Sequence, residues 1–140
     1  MEKEEIFTSI KNYIESTPSY MKFNKFKLDE ITKDKVKMSV LINENSENPS
    51  GFVHGGLIYT LADSAMGILG RANYKNVVTI NATINYLKPT LGDYIYAIAT
   101  PVRVGSTIAV FNCDIYNDKD EVTATCIGTY YFTDYQTKIK

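Results

Sequence analysis

The sequence predicts an α+β domain in which one long helix covers one face of an antiparallel sheet. Three observations predict it. Residues 55–72 carry apolar side chains at helical spacing, and the run is long enough to be the main helix of a small domain. Six other stretches read as strands, two before that helix and four after it. The separators of the last four strands (residues 88–92, 105–106 and 117–120) are short, which suits antiparallel neighbours.

Taken in order, residues 3–15 place Ile6, Phe7, Ile10, Tyr13 and Ile14 at helical spacing, and Thr17-Pro18 ends that helix. Residues 24–32 and 35–42 read as strands, the second alternating Val36, Met38, Val40, Ile42. Residues 43–53, rich in Asn, Ser, Pro and Gly, form a loop. The long helix follows, and then β-type runs at 76–87, 93–104, 107–117 and 121–132. The first of these alternates Val78, Ile80, Ala82, Ile84, Tyr86 against Thr79, Asn81, Thr83, Asn85. If the last two runs form a hairpin over Lys119-Asp120, Cys113 lies opposite Cys126 and their apolar rows share one face.

Composition removes several function classes. A chain of 140 residues with net charge −1 is long enough for one cored domain and shows no broad basic surface for nucleic acid. A phosphate-bearing small ligand needs only a few local cations and stays open. The N-terminal stretch has acids where a secretory signal needs positive charge, and no segment approaches a membrane span, so a cytoplasmic protein with no membrane partner is expected. Two cysteines without zinc-type spacing and a single histidine suit structural thiols, and neither a metal nor a cofactor is expected. A Cys113–Cys126 disulfide is geometrically conceivable but disfavoured in a reducing compartment.

On a helical wheel, Leu57, Ile58, Leu61, Ala62, Ala65, Ile68 and Leu69 fall in one arc, the face turned to the sheet. Asp63 lies nearly opposite, with Gly67 and Gly70 on its side. Glycine weakens a helix interior unless a backbone or ligand must approach closely. A solvated acid with incidental glycines is the plain alternative. Yet that side holds Tyr59, Thr60, Met66 and glycines rather than several charges, as a covered face would. At the helix start, Gly55 and Gly56 follow the chain's one histidine, His54. Unpaired N–H groups there favour developing negative charge, such as the oxyanion of acyl transfer; ordinary turn glycines with a capping histidine are the alternative. Gly55 and Asp63 are separated by eight residues, roughly 12 Å of helix. One scissile carbonyl cannot meet both in a single chain, so an enzyme reading requires a two-fold dimer with composite sites.

The run Asn48-Pro-Ser-Gly51-Phe-Val-His54-Gly55-Gly56, followed by Leu61-Ala62-Asp63, resembles the hotdog-fold acyl-CoA thioesterases of the phenylacetyl-CoA thioesterase-like group, within the 4-hydroxybenzoyl-CoA thioesterase superfamily. Ile84-Asn85-Tyr86-Leu87-Lys88-Pro89 and Val102-Arg103-Val104-Gly105 match that pattern too, and the likeness spans about residues 35–133. The resemblance implies a single hotdog domain, residues 19–135, whose antiparallel sheet wraps a central helix, with residues 1–18 as a helical extension. It implies hydrolysis of acyl-CoA to acid and coenzyme A by a homodimer with shared sites, or a tetramer built from two dimers. Carried over, the Gly55 N–H polarises the carbonyl, and the partner's Asp63 serves as general base or nucleophile. Asn48 and His54 orient water and thioester, Thr79 assists, and Gly56, Lys88 and Arg103 contact the substrate. A hotdog dehydratase and a non-catalytic acyl-CoA-binding or sensing module are the competing readings. No Ser-His-Asp arrangement competes, since Ser64 sits inside the helix beside Asp63 rather than on a strand-to-helix elbow.

Overall fold

A computed structural model describes residues 3–73 and 76–134. Helix α1 (Lys3–Ser16) and a short helix α2 (Tyr20–Phe23) precede strands β1 (Lys27–Ile31) and β2 (Val36–Leu41). A 3-10 turn, Glu44–Ser46, lies in the loop before helix α3 (Gly55–Ala72). Strands β3 (Asn76–Tyr86), β4 (Tyr94–Val104), β5 (Ile108–Asn117) and β6 (Val122–Thr133) follow it. The six strands make one antiparallel sheet in the order β1-β2-β4-β5-β6-β3, so β1 and β3 are its edges. The first expected strand begins later than the sequence suggests, because residues 20–23 close a helical turn capped by the Ser19 side chain. The outer limits of the expected division, residues 1 and 135, lie outside the described residues.

The sheet wraps α3 because its central strands offer small inward residues. Ala97 and Ala99 of β4, Ala109 and Cys113 of β5, and Ala124 and Cys126 of β6 are all buried against the helix. Phe111, Ile95 and Ile115 fill the remaining depth. Every residue of the predicted helix arc is buried. Met66 is fully buried as well, contrary to its wheel position on the open face, because β6 curls over the helix at Gly128. A Cβ at Gly128 would come within 3.0 Å of the Met66 methyl, so that glycine makes room for the thioether. Ile10 and Ile14 of α1 join the same core.

The predicted hairpin register holds: Cys113 pairs with Cys126, and both are free thiols. Strand β3 departs from its predicted alternation. Thr79 pairs with Tyr130 and Asn81 with Thr129, so Ile80 is an extra residue in a β-bulge. The bulge reverses the phase ahead of it. Val78 and Ile80 turn outward, 41% and 56% exposed, while Val77, Ala82 and Ile84 pack on the core. No helix among the described residues is long and apolar enough to cross a membrane.

Candidate active site

Asp63 sits midway along α3, turned towards the edge strand instead of the sheet centre. The β3 bulge sends Thr79 inward beside Tyr130, its cross-strand partner, and both hydroxyls reach the Asp63 carboxylate. Thr79 Oγ1 donates to Asp63 Oδ1 at 2.8 Å, and Tyr130 OH donates to the same oxygen at 2.8 Å. Tyr130 OH also lies 3.3 Å from the Asp63 carbonyl. Among the described residues nothing donates to Oδ2. The carboxylate is therefore fixed through one oxygen and open through the other. Burial, reinforced by the adjacent Asp63 charge and the hydrogen bond to it, pushes the Tyr130 pKa far up, so the phenol remains a donor. Burial also raises the Tyr59 pKa, with the Asp63 charge adding to it.

The expected assistance of Thr79 thus has a geometric basis that plain alternation would deny it. Tyr130 is absent from the sequence-predicted set. Its signal was available: a tyrosine on the inward row of a strand, following Ala124, Cys126 and Gly128, must find a buried partner for its hydroxyl.

A second cluster forms at the start of α3. His54 is the N-cap, and its Nδ1 accepts from the Gly56 N–H at 2.8 Å. An acceptor Nδ1 places the neutral ring's proton on Nε2. A Cβ at Gly56 would lie 2.9 Å from that Nδ1, and one at Gly55 would lie 3.2 Å from the Tyr86 ring. The two glycines thus have separate reasons, one for the histidine cap and one for the approach of β3. Tyr86 OH donates to the Gly55 carbonyl at 2.7 Å, fixing that peptide. Among the described residues nothing accepts from the Gly55 N–H, whereas the Gly56 N–H is spent on His54.

Asn48 holds the preceding loop. Its Oδ1 accepts from the N–H groups of Ser50, at 2.9 Å, and Phe52, at 3.2 Å. Gly51, at φ +86°, turns the chain there, and Val53 and His54 are tied by backbone bonds to Thr90 and Ser46. Lys88 is paired with Glu121 at 2.6 Å, both exposed. Arg103, exposed on β4, pairs with Val110 in the row that continues through Thr129 to Asn81. The structure therefore brings together Asp63 and Thr79 at one place and His54, Gly55 and Gly56 at another. It does not bring the two groups together within one chain.

Beside Asp63, Thr79 and Tyr130 opens a cavity of about 340 Å³ that extends under α1 and α2. No group of three or more potential metal ligands occurs among the described residues. The two thiols take no part: burial raises Cys126 to about 11 and Cys113 higher still, leaving neither as thiolate near neutrality.

Comparison with known proteins identifies the fold and the family. A family model described as the thioesterase superfamily matches residues 50–124. The chain is 29% identical over 102 residues to 1,4-dihydroxy-2-naphthoyl-CoA thioesterase 2 of Arabidopsis thaliana, covering 70% of this chain and 64% of that protein. Among solved structures it superposes on the E. coli PaaI protein from the phenylacetic acid degradation operon with a TM-score of 0.86 at 17% identity, covering 94% and 95% of the two chains. It superposes on the Haemophilus influenzae thioesterase HI1161 with a TM-score of 0.82 at 21% identity, covering 92% of each. The fold is the hotdog that the resemblance implied.

Proposed function

The chain belongs to the thioesterase superfamily, and from that premise we propose that it hydrolyses acyl-CoA thioesters to the free acid and coenzyme A, in sites shared by two copies of itself. The observation that carries this reading is the Asp63 carboxylate, pinned at Oδ1 by two hydroxyls and open at Oδ2 beside a cavity. Asp63 Oδ2 takes a proton from water as the water oxygen bonds to the thioester carbon. The negative charge passes to the carbonyl oxygen, where the Gly55 N–H of the other copy, at a helix N-terminus, holds it. As the tetrahedral intermediate collapses, the C–S bond breaks and the Asp63 carboxyl returns its proton to the thiolate. Direct attack by Oδ2, which expels the thiolate and leaves a mixed anhydride for water to open, uses the same geometry, and solvent ¹⁸O found in Asp63 after a single turnover marks that route when water opens the anhydride at the Asp63 carboxyl carbon.

His54 and Asn48 set the entry to the Gly55 peptide, and Thr79 with Tyr130 positions Asp63. Lys88 and Arg103 are the cations offered to coenzyme A phosphates, and Lys88 must exchange Glu121 for phosphate to serve. Two copies are required because α3 separates Gly55 from Asp63 by roughly 12 Å. The edge strand β3, eleven residues long, supports such pairing, since its outer backbone has no strand partner among the described residues. Val78, Tyr131 and Ile108 stand side by side across β3, β6 and β5, all exposed, and offer an apolar outer face for joining two dimers.

Release of free thiol from a panel of acyl-CoAs is the direct test. Asp63→Asn is expected to lower kcat by at least ~100-fold, and unchanged turnover would remove Asp63 from the mechanism. The shared site has its own test. Co-expressed Asp63→Asn and Gly55→Pro chains, each inactive alone, should regain about a quarter of wild-type activity, since half the dimers are mixed and each mixed dimer holds one intact site. No recovery would place each site within one chain.

A further inference from the structure

The cavity beside Asp63 does more than admit water. Asp63, Gly67 and Arg71 stand at i, i+4 and i+8 on one face of α3, a run of roughly 12 Å, and all three line the cavity. Gly67 is its floor. A Cβ built there meets no atom within 4 Å, whereas one at Gly70 would collide with Val77 at 2.6 Å. Gly70 is thus explained by the packing of β3 on the helix, and Gly67 is not explained by any contact among the described residues. The roof comes from the N-terminal segment: Ile10, Tyr13 and Ile14 of α1 and Met21 of α2 close over the same space. Val77 and Ile68 flank it, and at the far end Arg71 Nη1 donates to Asn76 Oδ1 at 2.6 Å. The space therefore begins at the pinned carboxylate, runs along an apolar gallery and ends at a polar pair.

We infer that this gallery receives the acyl group, an elongated apolar one, with Gly67 setting how much of it fits and α1 setting which groups are held. The inference rests on the thioesterase reading for the chemistry at Asp63, and it places acyl selection in residues 10–21, ahead of the segment that matches the family model. Continuity argues for this occupant. A carbonyl placed against Asp63 Oδ2 has its acyl substituent directed into the gallery, towards the second copy or into solvent, and the apolar lining beside Asp63 favours the first. The side chain absent at Gly67 is the one that would block the passage.

The test uses binding as well as turnover. S-octyl- and S-ethyl-coenzyme A, non-hydrolysable thioethers, are titrated into the full-length protein by calorimetry, and octanoyl- and acetyl-CoA are compared by thiol release. Wild type should bind the octyl compound at least ~10-fold more tightly than the ethyl one, the effect of burying extra methylenes. Gly67→Leu should remove that preference and lower the octanoyl-to-acetyl ratio of kcat/KM by at least ~10-fold, with no loss of thermal stability. Tyr13→Ala, a change at a half-buried roof residue, should weaken octyl binding several-fold. Equal affinity of wild type for both thioethers would overturn the inference. So would a Gly67→Leu protein that keeps the preference, or one that falls to monomers in sedimentation, which would assign the gallery to the second copy. Absence of turnover with the octyl preference intact would sink the hydrolase reading and leave the gallery standing.

Discussion

Thr79 and Tyr130 donate to one and the same oxygen of Asp63, and that sharing makes a quantitative prediction about their removal. Tyr130→Phe deletes one hydroxyl while keeping the ring, which packs on Phe111 with centroids 5.5 Å apart. Thr79→Val deletes the other at an exposed position of similar size. A hydrogen bond to a charged group contributes about 1.5–3 kcal/mol. Either donor alone still fixes the carboxylate's orientation, so each single change forfeits only part of that and should lower kcat by ~10-fold, or about 1.4 kcal/mol. With both gone the carboxylate can rotate about its side-chain bonds, and the double variant should lose at least ~1,000-fold, beyond the ~100-fold of independent effects. The assay is thiol release under saturating substrate, with thermal melting to confirm that all three variants fold. A double variant no slower than the worse single one would refute the positioning argument, and strict additivity would show that the donors do not share a task.

Other predictions follow from the packing. Gly67→Ala and Gly70→Ala should shift stability in opposite directions. The first gains up to about 1 kcal/mol of helix propensity, raising Tm by about 3 °C, while the second forces its Cβ onto Val77 and lowers Tm; equal shifts in scanning calorimetry would contradict the contrast. Gly56→Ala brings a methyl within 2.9 Å of His54 Nδ1 and should cost about 1 kcal/mol through loss of the N-cap, measurable by urea denaturation. Cys113 and Cys126 should resist a thiol reagent in the folded protein and titrate as two thiols in denaturant. In the unfolded chain Cys126 ionises near 9, but in the fold only at about 11, so its contribution is complete below pH 9 and lost as pH rises to 11. Melting temperature should therefore fall over that interval, and Cys126→Ala should make the fall less steep, with Cys113 and Tyr130, both also raised in the fold, supplying the remainder.

Much of the fold is legible in the sequence because its signals are periodic. The bounds of α3 follow from the helical spacing of Leu57 through Leu69, and the Cys113–Cys126 pairing follows from alternation across a short turn. The β3 bulge is not legible, since Ile80 continues an unbroken apolar alternation and is turned outward only by its pairing with β6. The candidate site divides the same way. His54, Gly55 and Asp63 are marked by residue types unusual for a helix start and a helix middle. Tyr130 and Tyr86 are hidden because they read as ordinary core residues until the register places their hydroxyls. The gallery is hidden for a different reason: residues 10–21 and residue 67 line it from opposite sides, a juxtaposition that no local pattern encodes.

The bulge at Ile80 also bears on how this chain tolerates changes of length. Removing one residue from a strand ordinarily turns everything beyond the cut to the wrong face of the sheet. Strand β3 has two inward sets: Val77 packs on the helix at Gly70 and Thr79 donates to the carboxylate, while Ala82 and Ile84 pack on the core and Tyr86 reaches the start of α3. Ile80 is the surplus residue between them, so its deletion leaves both sets facing the helix, whereas deletion of Thr83 would reverse Tyr86 against Thr79. The most disruptive edit a strand can receive becomes the mildest at this one position, and insertions or losses among natural variants of this strand should collect there.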